Sequence, residues 1–298
     1  MNKIRFFLVS VVAALLTSCG TTSTVPITGR QQTLMVSDGE VLSLSTQQYQ
    51  EFMKTAKLST NAANTAMVKR VGQNLANAVV NYLNSNGLSS EVQNYKWTFN
   101  LVQDKQVNAW CMPGGKIVVY EGLLPVTQNE ASLAIVLGHE IAHAVAMHSA
   151  EQYQKKMNQQ TGLQAGAVLA SVLGVGSEVT NLGTQVASQY LSFRNLSYSR
   201  DHESEADHLG LIFAAMAGYD PQVAIDFWGR MGTSNVPEWQ SSHPSNENRI
   251  AAIKKEMPEA LQYYNAAIGK TTTTTTKTTT KKATSTSSSS GQRFKIGQ

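Results

Sequence analysis

Two histidines four residues apart with a glutamate beside the first, His139-Glu140-Ile141-Ala142-His143, are the residues of this chain whose types and spacing most directly permit chemistry. On a helix, positions four apart project from one face. Both imidazoles then reach a single point, and zinc accepts imidazole nitrogen at about 2.0–2.1 Å. Glu140 points to the adjacent side, where it can take a proton from water without occupying the metal, the arrangement of a zincin general base. Three fixed positions of uncommon residues arise by chance in roughly one chain in a hundred of this length, so a third ligand has to be found.

The metzincin spacing fails: it needs Gly at 146 and His at 149, where this chain has Ala146 and Ser149, and His148 lies one position short. The chain offers instead Arg200-Asp201-His202-Glu203-Ser204-Glu205-Ala206-Asp207, with Glu203 and Asp207 on one helical face. In one reading Glu203 completes a His₂Glu site, and Asp207, one turn on, accepts the outer N–H of a ligand histidine and fixes its tautomer. In the other, an acidic first turn only balances the helix dipole, which is the single role assigned to Glu205.

The elements that must position these groups follow from periodicity and punctuation. Residues 128–156 read as one helix with Thr127 and Glu130 as a capping box, and residues 199–217 as a second, stopped by Gly218 and Pro221. Residues 36–59 and 62–83 read as packing helices. Between them and the first metal helix, Trp97, Phe99 and Leu101 alternate with polar residues, followed by residues 108–112, Pro113-Gly114-Gly115 and Ile117-Val118-Val119-Tyr120. The pattern predicts a small antiparallel sheet turned at Pro-Gly-Gly, and with it an α+β, mainly helical fold whose sheet packs on the metal-binding helices. The apolar residues 162–176 are too few for a transmembrane helix; they either lie on the domain or dip into a membrane surface.

Both ends stand apart from this domain, which is expected over residues 36–269. Lys3 and Arg5 precede an apolar run that ends in Leu16-Thr17-Ser18-Cys19, the pattern of a lipoprotein leader over residues 1–18, with Cys19 acylated and residues 19–35 as a linker. Residues 270–298 are almost all Thr, Ser, Lys and Gly and are expected to be a disordered tail. The net charge of +4 is misleading, because two basic residues lie in the leader and six in the tail; residues 19–269 hold 16 basic against 20 acidic side chains. That balance argues against nucleic acid as a partner of the folded part. With Cys19 lipidated, Cys111 is the only thiol left. It reads as a small buried apolar residue, since no base stands near it in sequence.

These motifs together resemble the gluzincin-type metallopeptidases that include the CAAX prenyl protease, the HtpX heat-shock protease and the periplasmic protease that enhances outer-membrane barrel assembly. The resemblance covers about residues 100–255: Asn108-Ala109-Trp110 with Pro113-Gly114-Gly115 and Gly122-Leu123-Leu124, then His139, Glu140 and His143, then Glu203 with Ala206 and Asp207, then Ser242-His243-Pro244 followed by Arg249. It implies one Zn²⁺ per chain on His139, His143 and Glu203, with Asp207 behind them and Glu140 as base. It also implies that His243 and Arg249 stabilise the oxyanion, with His243 capping the zinc at rest as the alternative. An extended substrate would add to a sheet edge at Asn108, Ala109 and Trp110 or the strand beside it. The expected activity is endopeptidase cleavage of unfolded or misassembled envelope proteins by an enzyme lipid-anchored in a bacterial envelope, at the outer membrane facing the periplasm. A chaperone-like factor with little or regulated proteolysis is the alternative.

Overall fold

The computed structural model describes residues 20–172, 192–234, 236–244 and 248–270. The leader, Cys19, residues 173–176 of the apolar segment and the tail from 271 lie outside them.

The expected linker is structured. Residues 21–34 form an antiparallel hairpin of β1 (Thr21–Thr24) and β2 (Gln31–Leu34), with Thr21 opposite Leu34. Its run of β-branched residues favours strand, and Val25 and Leu34 are buried. Two packing helices follow as expected: α1 (Asp38–Thr55), capped by the Ser37 side chain, and α2 (Ala62–Ser85), capped by Asn61. In α2 the buried Val68, Val71, Leu75, Val79 and Leu83 recur every three or four residues, so one face of the helix enters the core.

After the short α3 (Ser89–Val92) come β3 (Thr98–Val102), β4 (Ala109–Met112) and β5 (Lys116–Tyr120). The β4–β5 hairpin is antiparallel, with Cys111 opposite Ile117, and turns at Gly114 and Gly115, whose positive φ of 81° and 79° suits glycine. The expectation of a wholly antiparallel sheet needs one correction: β5 lies in the middle and pairs with β3 in parallel. The chain reverses twice between β3 and β5, so the strand that returns beside β3 must run in β3's direction.

The remaining helices are α4 (Leu124–Thr127), α5 (Glu130–Val145), α6 (His148–Val172), α7 (Arg200–Met216), α8 (Val223–Thr233), α9 (Pro237–Ser242) and α10 (Arg249–Ala267). The single helix expected over residues 128–156 is broken in two. Met147 adopts a left-handed φ of 57° and the axes of α5 and the first half of α6 diverge by 53°. The start also differs. Gln128 is left-handed (φ 65°), so the cap moves to Asn129, whose side chain accepts from the Ser132 N–H, while Glu130 pairs with Arg70. No single helix among the described residues is long and apolar enough to cross a membrane.

Every residue of α5 from Ser132 to Val145 is buried, which makes it the central helix of the domain. It crosses α7 where two glycines meet: a Cβ on Gly210 would lie 2.6 Å from the His139 nitrogen and one on Gly138 2.6 Å from the Gly210 carbonyl oxygen. This approach sits one residue before His139. Gly210→Ala is therefore expected to destabilise the protein by about 1–3 kcal/mol through overpacking. Gly229→Ala on the exposed face of α8, with nothing within 4 Å of its Cβ, is expected to be neutral or stabilising by about 0.5–1 kcal/mol. Urea denaturation of the two variants checks the contrast.

Candidate active site

Helix spacing puts His139 and His143 on one face of α5, and the crossing with α7 sets that face against Glu203 and Asp207. α7 starts where the sequence marks it: Ser199 caps it by accepting from the His202 N–H, which leaves an acidic first turn at the positive end of the helix. A third element arrives from much further along the chain. α9 ends at His243, whose N–H donates to the Trp239 carbonyl and whose ring stacks on the Trp239 indole at 4.3 Å.

The result is a tight knot of donors. His139 Nε2 and His143 Nε2 lie 3.1 Å apart, and the Glu203 carboxylate stands 3.5 Å from the first and 3.3 Å from the second. His243 Nδ1 is 3.2 Å from His139 Nε2 and 3.0 Å from Glu203 Oε1. One ligand atom from each of the four residues falls within 4.8 Å of all the others, and none of the four is more than 2% exposed.

Hydrogen-bond bookkeeping around this knot decides what it can hold. Asp207 Oδ1 accepts from His139 Nδ1 at 3.0 Å, which leaves His139 Nε2 as a lone pair. Glu205 Oε2 accepts from His148 Nε2 at 2.9 Å, so His148 Nδ1 is an acceptor; the His143 Nδ1–H donates to it at 2.9 Å, and His143 Nε2 is then also a lone pair. Two lone pairs facing each other in a buried site call for a positive charge between them. A proton would serve two donors, and Glu203 and Asp207 do outweigh burial to lift His139 to about 10. Four donors converging on one point suit a metal ion, and three imidazoles with one carboxylate are ligands zinc accepts. Burial opposes a charged Glu203, but His243 and His139 hold its carboxyl well below the usual range, so it stands ready as an anion. The residues present fit zinc.

Glu140 lies beside the knot. Its Oε2 accepts from the Cys111 backbone N–H at 3.2 Å, while Oε1 makes no hydrogen bond and lies 3.4 Å from His243 Nε2. Burial raises its pKa against the pull of His243 and His139, which poises the carboxylate to accept a proton. Burial likewise pushes the Cys111 thiol well up, in keeping with an inert core cysteine.

All seven catalytic, metal and supporting positions expected near the motif meet here. Arg249, at the first turn of α10, donates from Nε to Asp207 Oδ2 at 2.6 Å and from Nη2 to Glu203 Oε2 at 2.9 Å, with its guanidinium 4.2 Å over the Trp228 ring. Its donors are thus turned to the carboxylates. Asn108 immediately precedes β4 and Ala109 and Trp110 open it; the strand is an edge of the sheet and touches the site through Cys111. That edge is not open: Ala109 and Trp110 are buried and the turn Phe193–Asn195 packs against β4. Three residues close to the knot carry no local signal of their place in it. The metzincin spacing excludes His148 and the helix dipole accounts for Glu205; without the break at Met147 nothing local points either of them at His143. Tyr198, stacked on the His143 ring at 3.8 Å, left no sequence signal.

The chain is 34% identical over 177 residues to the mitochondrial metalloendopeptidase OMA1 of Schizosaccharomyces pombe, covering 57% of this chain and 50% of that protein. It is 30% identical over 257 residues to the human mitochondrial metalloendopeptidase OMA1, covering 80% and 46%. It is 29% identical over 161 residues to the β-barrel assembly-enhancing protease of Yersinia pestis, covering 51% and 33%. The chain thus spans about half the length, or less, of these relatives. The profile of peptidase family M48 matches residues 60–257, a stretch that takes in the sheet, the motif helix, Glu203, His243 and Arg249, and the chain belongs to that family.

Proposed function

We infer that this chain is a zinc-dependent endopeptidase. The observation that carries the reading is the buried convergence of His139, His143 and Glu203 on one point with Glu140 beside it. His139, His143 and Glu203 would hold one zinc ion, with Asp207 fixing the His139 ring from behind and Arg249 fixing both carboxylates. Zinc, when bound, supplies a Lewis acid for a scissile carbonyl and for the water that attacks it. The remaining steps belong to the protein. Glu140, held at Oε2 by the Cys111 N–H, accepts a proton from the attacking water as its oxygen adds to the carbonyl carbon. It then returns that proton to the amine nitrogen as the C–N bond breaks.

The same geometry favours a latent resting form. His243 Nδ1 occupies a place among the ligand atoms, and the indole of Trp239 holds the ring there. For a substrate to enter, the stretch ending at His243 must swing away and the turn Phe193–Asn195 must uncover the β4 edge. Asn108, Ala109 and Trp110 would then offer main-chain groups to an extended peptide. His243, once displaced, would be free to face the oxyanion. Arg249 acts through Glu203 and Asp207.

The substrates we propose are unfolded or misassembled envelope proteins, cut in quality control by an enzyme anchored through a lipidated Cys19 in a bacterial envelope, at the outer membrane facing the periplasm. The leader pattern at residues 1–19 and the name of the Y. pestis relative support this.

Glu140→Gln is expected to bind one zinc per chain, as measured by metal analysis, and to cleave an unfolded substrate about 10²–10⁴-fold more slowly than wild type. Wild-type cleavage by that variant would sink the hydrolytic reading, and full rescue of a deletion strain by it would favour the chaperone-like alternative. His243→Ala is expected to raise basal cleavage; complete loss of activity would instead assign His243 wholly to the oxyanion.

A further inference from the structure

The proposed reaction leaves one cluster of buried and half-buried charge unused. On the side of His143 away from the metal position stand His148, Glu205, Glu151, His202 and, from the N-terminal hairpin, Thr28 and Arg30. Thr28 and Arg30 fall where a linker was expected.

The contacts form a directed chain. Arg30 donates from Nε to Glu205 Oε2 at 2.6 Å and from Nη1 to Glu151 Oε1 at 2.7 Å, so one guanidinium grips a carboxylate from each of α7 and α6. Thr28 donates its hydroxyl to the other oxygen of Glu205 at 2.5 Å. Glu205 in turn accepts from His148 Nε2, and His148 Nδ1 accepts from His143 Nδ1. Glu151 pairs with His202 at 2.6 Å, and the His202 ring stacks on His148 at 4.3 Å and 13°, so the second carboxylate supports the same ring from its face. Two contacts, the Glu205 hydrogen bond and the His202 stack, therefore fix the hydrogen-bond direction and the plane of His148, and both run through carboxylates held by Arg30.

We propose that Arg30, Glu205 and His148 are a positioning relay through which the N-terminal hairpin fixes the orientation and tautomer of the metal ligand His143. The proposal rests on the zinc reading above. Of the two motif histidines, His139 has its orienting carboxylate, Asp207, on the neighbouring helix in direct contact. His143 faces another imidazole, which can accept as readily as donate. An imidazole orients its neighbour only when its own far nitrogen is committed as a donor, and Glu205 supplies that commitment. A carboxylate with 9% of its side chain exposed and four oxygen lone-pair sites could turn to solvent; Arg30 and Thr28 hold both its oxygens in place. The relay joins the segment next to the proposed lipid anchor to the metal ligand.

The test measures zinc affinity of the full-length chain by competition with a chromophoric chelator, together with the visible absorption of the cobalt-substituted protein, which reports ligand geometry independently of activity. Arg30→Gln and Glu205→Ala are each expected to weaken zinc binding by about 10–100-fold and to alter the cobalt bands. Arg30→Lys keeps the charge but loses the fork that reaches two carboxylates, and is expected to recover only part of the affinity. Arg70→Gln, which breaks a surface ion pair with Glu130 remote from this cluster, is expected to match wild type. Arg30 has 34% of its side chain exposed, so Arg30→Gln keeps the test alive should Glu205→Ala fail to fold. A wild type that binds no zinc overturns the functional reading and the relay together. A wild type with one zinc per chain, and Arg30→Gln within about twofold of its affinity with unchanged cobalt bands, overturns the relay alone.

Discussion

Two imidazole lone pairs held 3.1 Å apart in a buried site repel unless a positive charge sits between them, and the architecture around the site serves that one constraint. Each lone pair is imposed from outside. Asp207 holds the Nδ1 proton of His139 on one side, and the Glu205–His148 pair holds that of His143 on another, so both Nε2 atoms turn to the same point. Two such nitrogens turned on one buried point are stabilised by a positive charge placed between them, which is what a bound metal ion supplies.

Rigidity is the second requirement. The α5–α7 crossing at Gly138 and Gly210 brings two helix backbones into contact immediately beside His139, with no side chain between them to flex. Glu203 and Asp207 therefore stand at a distance from the motif histidines that is set by main-chain contact. Arg249 then ties the two carboxylates to each other and to Trp228. Breaking a buried pair of this kind leaves an uncompensated charge, typically about 3–5 kcal/mol, so the carboxylates and the arginine depend on one another for folding as well as for chemistry.

The third feature is closure. Glu140, His139, His143 and Glu203 are each at most 1% exposed, and Trp239 and His243 stack over them. A site buried to this degree strengthens every electrostatic interaction inside it.

The sequence by itself determined what repeats locally. The four-residue spacing of His139 and His143, the Ser199 cap with Glu203 and Asp207 one turn apart, the Gly218 stop and the Pro113-Gly114-Gly115 turn are all consequences of backbone periodicity and φ preference, and each lies within one or two turns of chain. Tertiary structure decided the rest. The left-handed Met147, a conformation its residue type does not announce, turns α6 so that His148 faces back onto His143. The hairpin that looked like a linker delivers Arg30 to Glu205 across 175 positions, and α9 brings His243 to His139 across 104. The parallel placement of β3 beside β5 likewise follows from where the intervening strand packs. Contacts of that range are fixed by which apolar faces can be buried together, and local spacing carries no record of them.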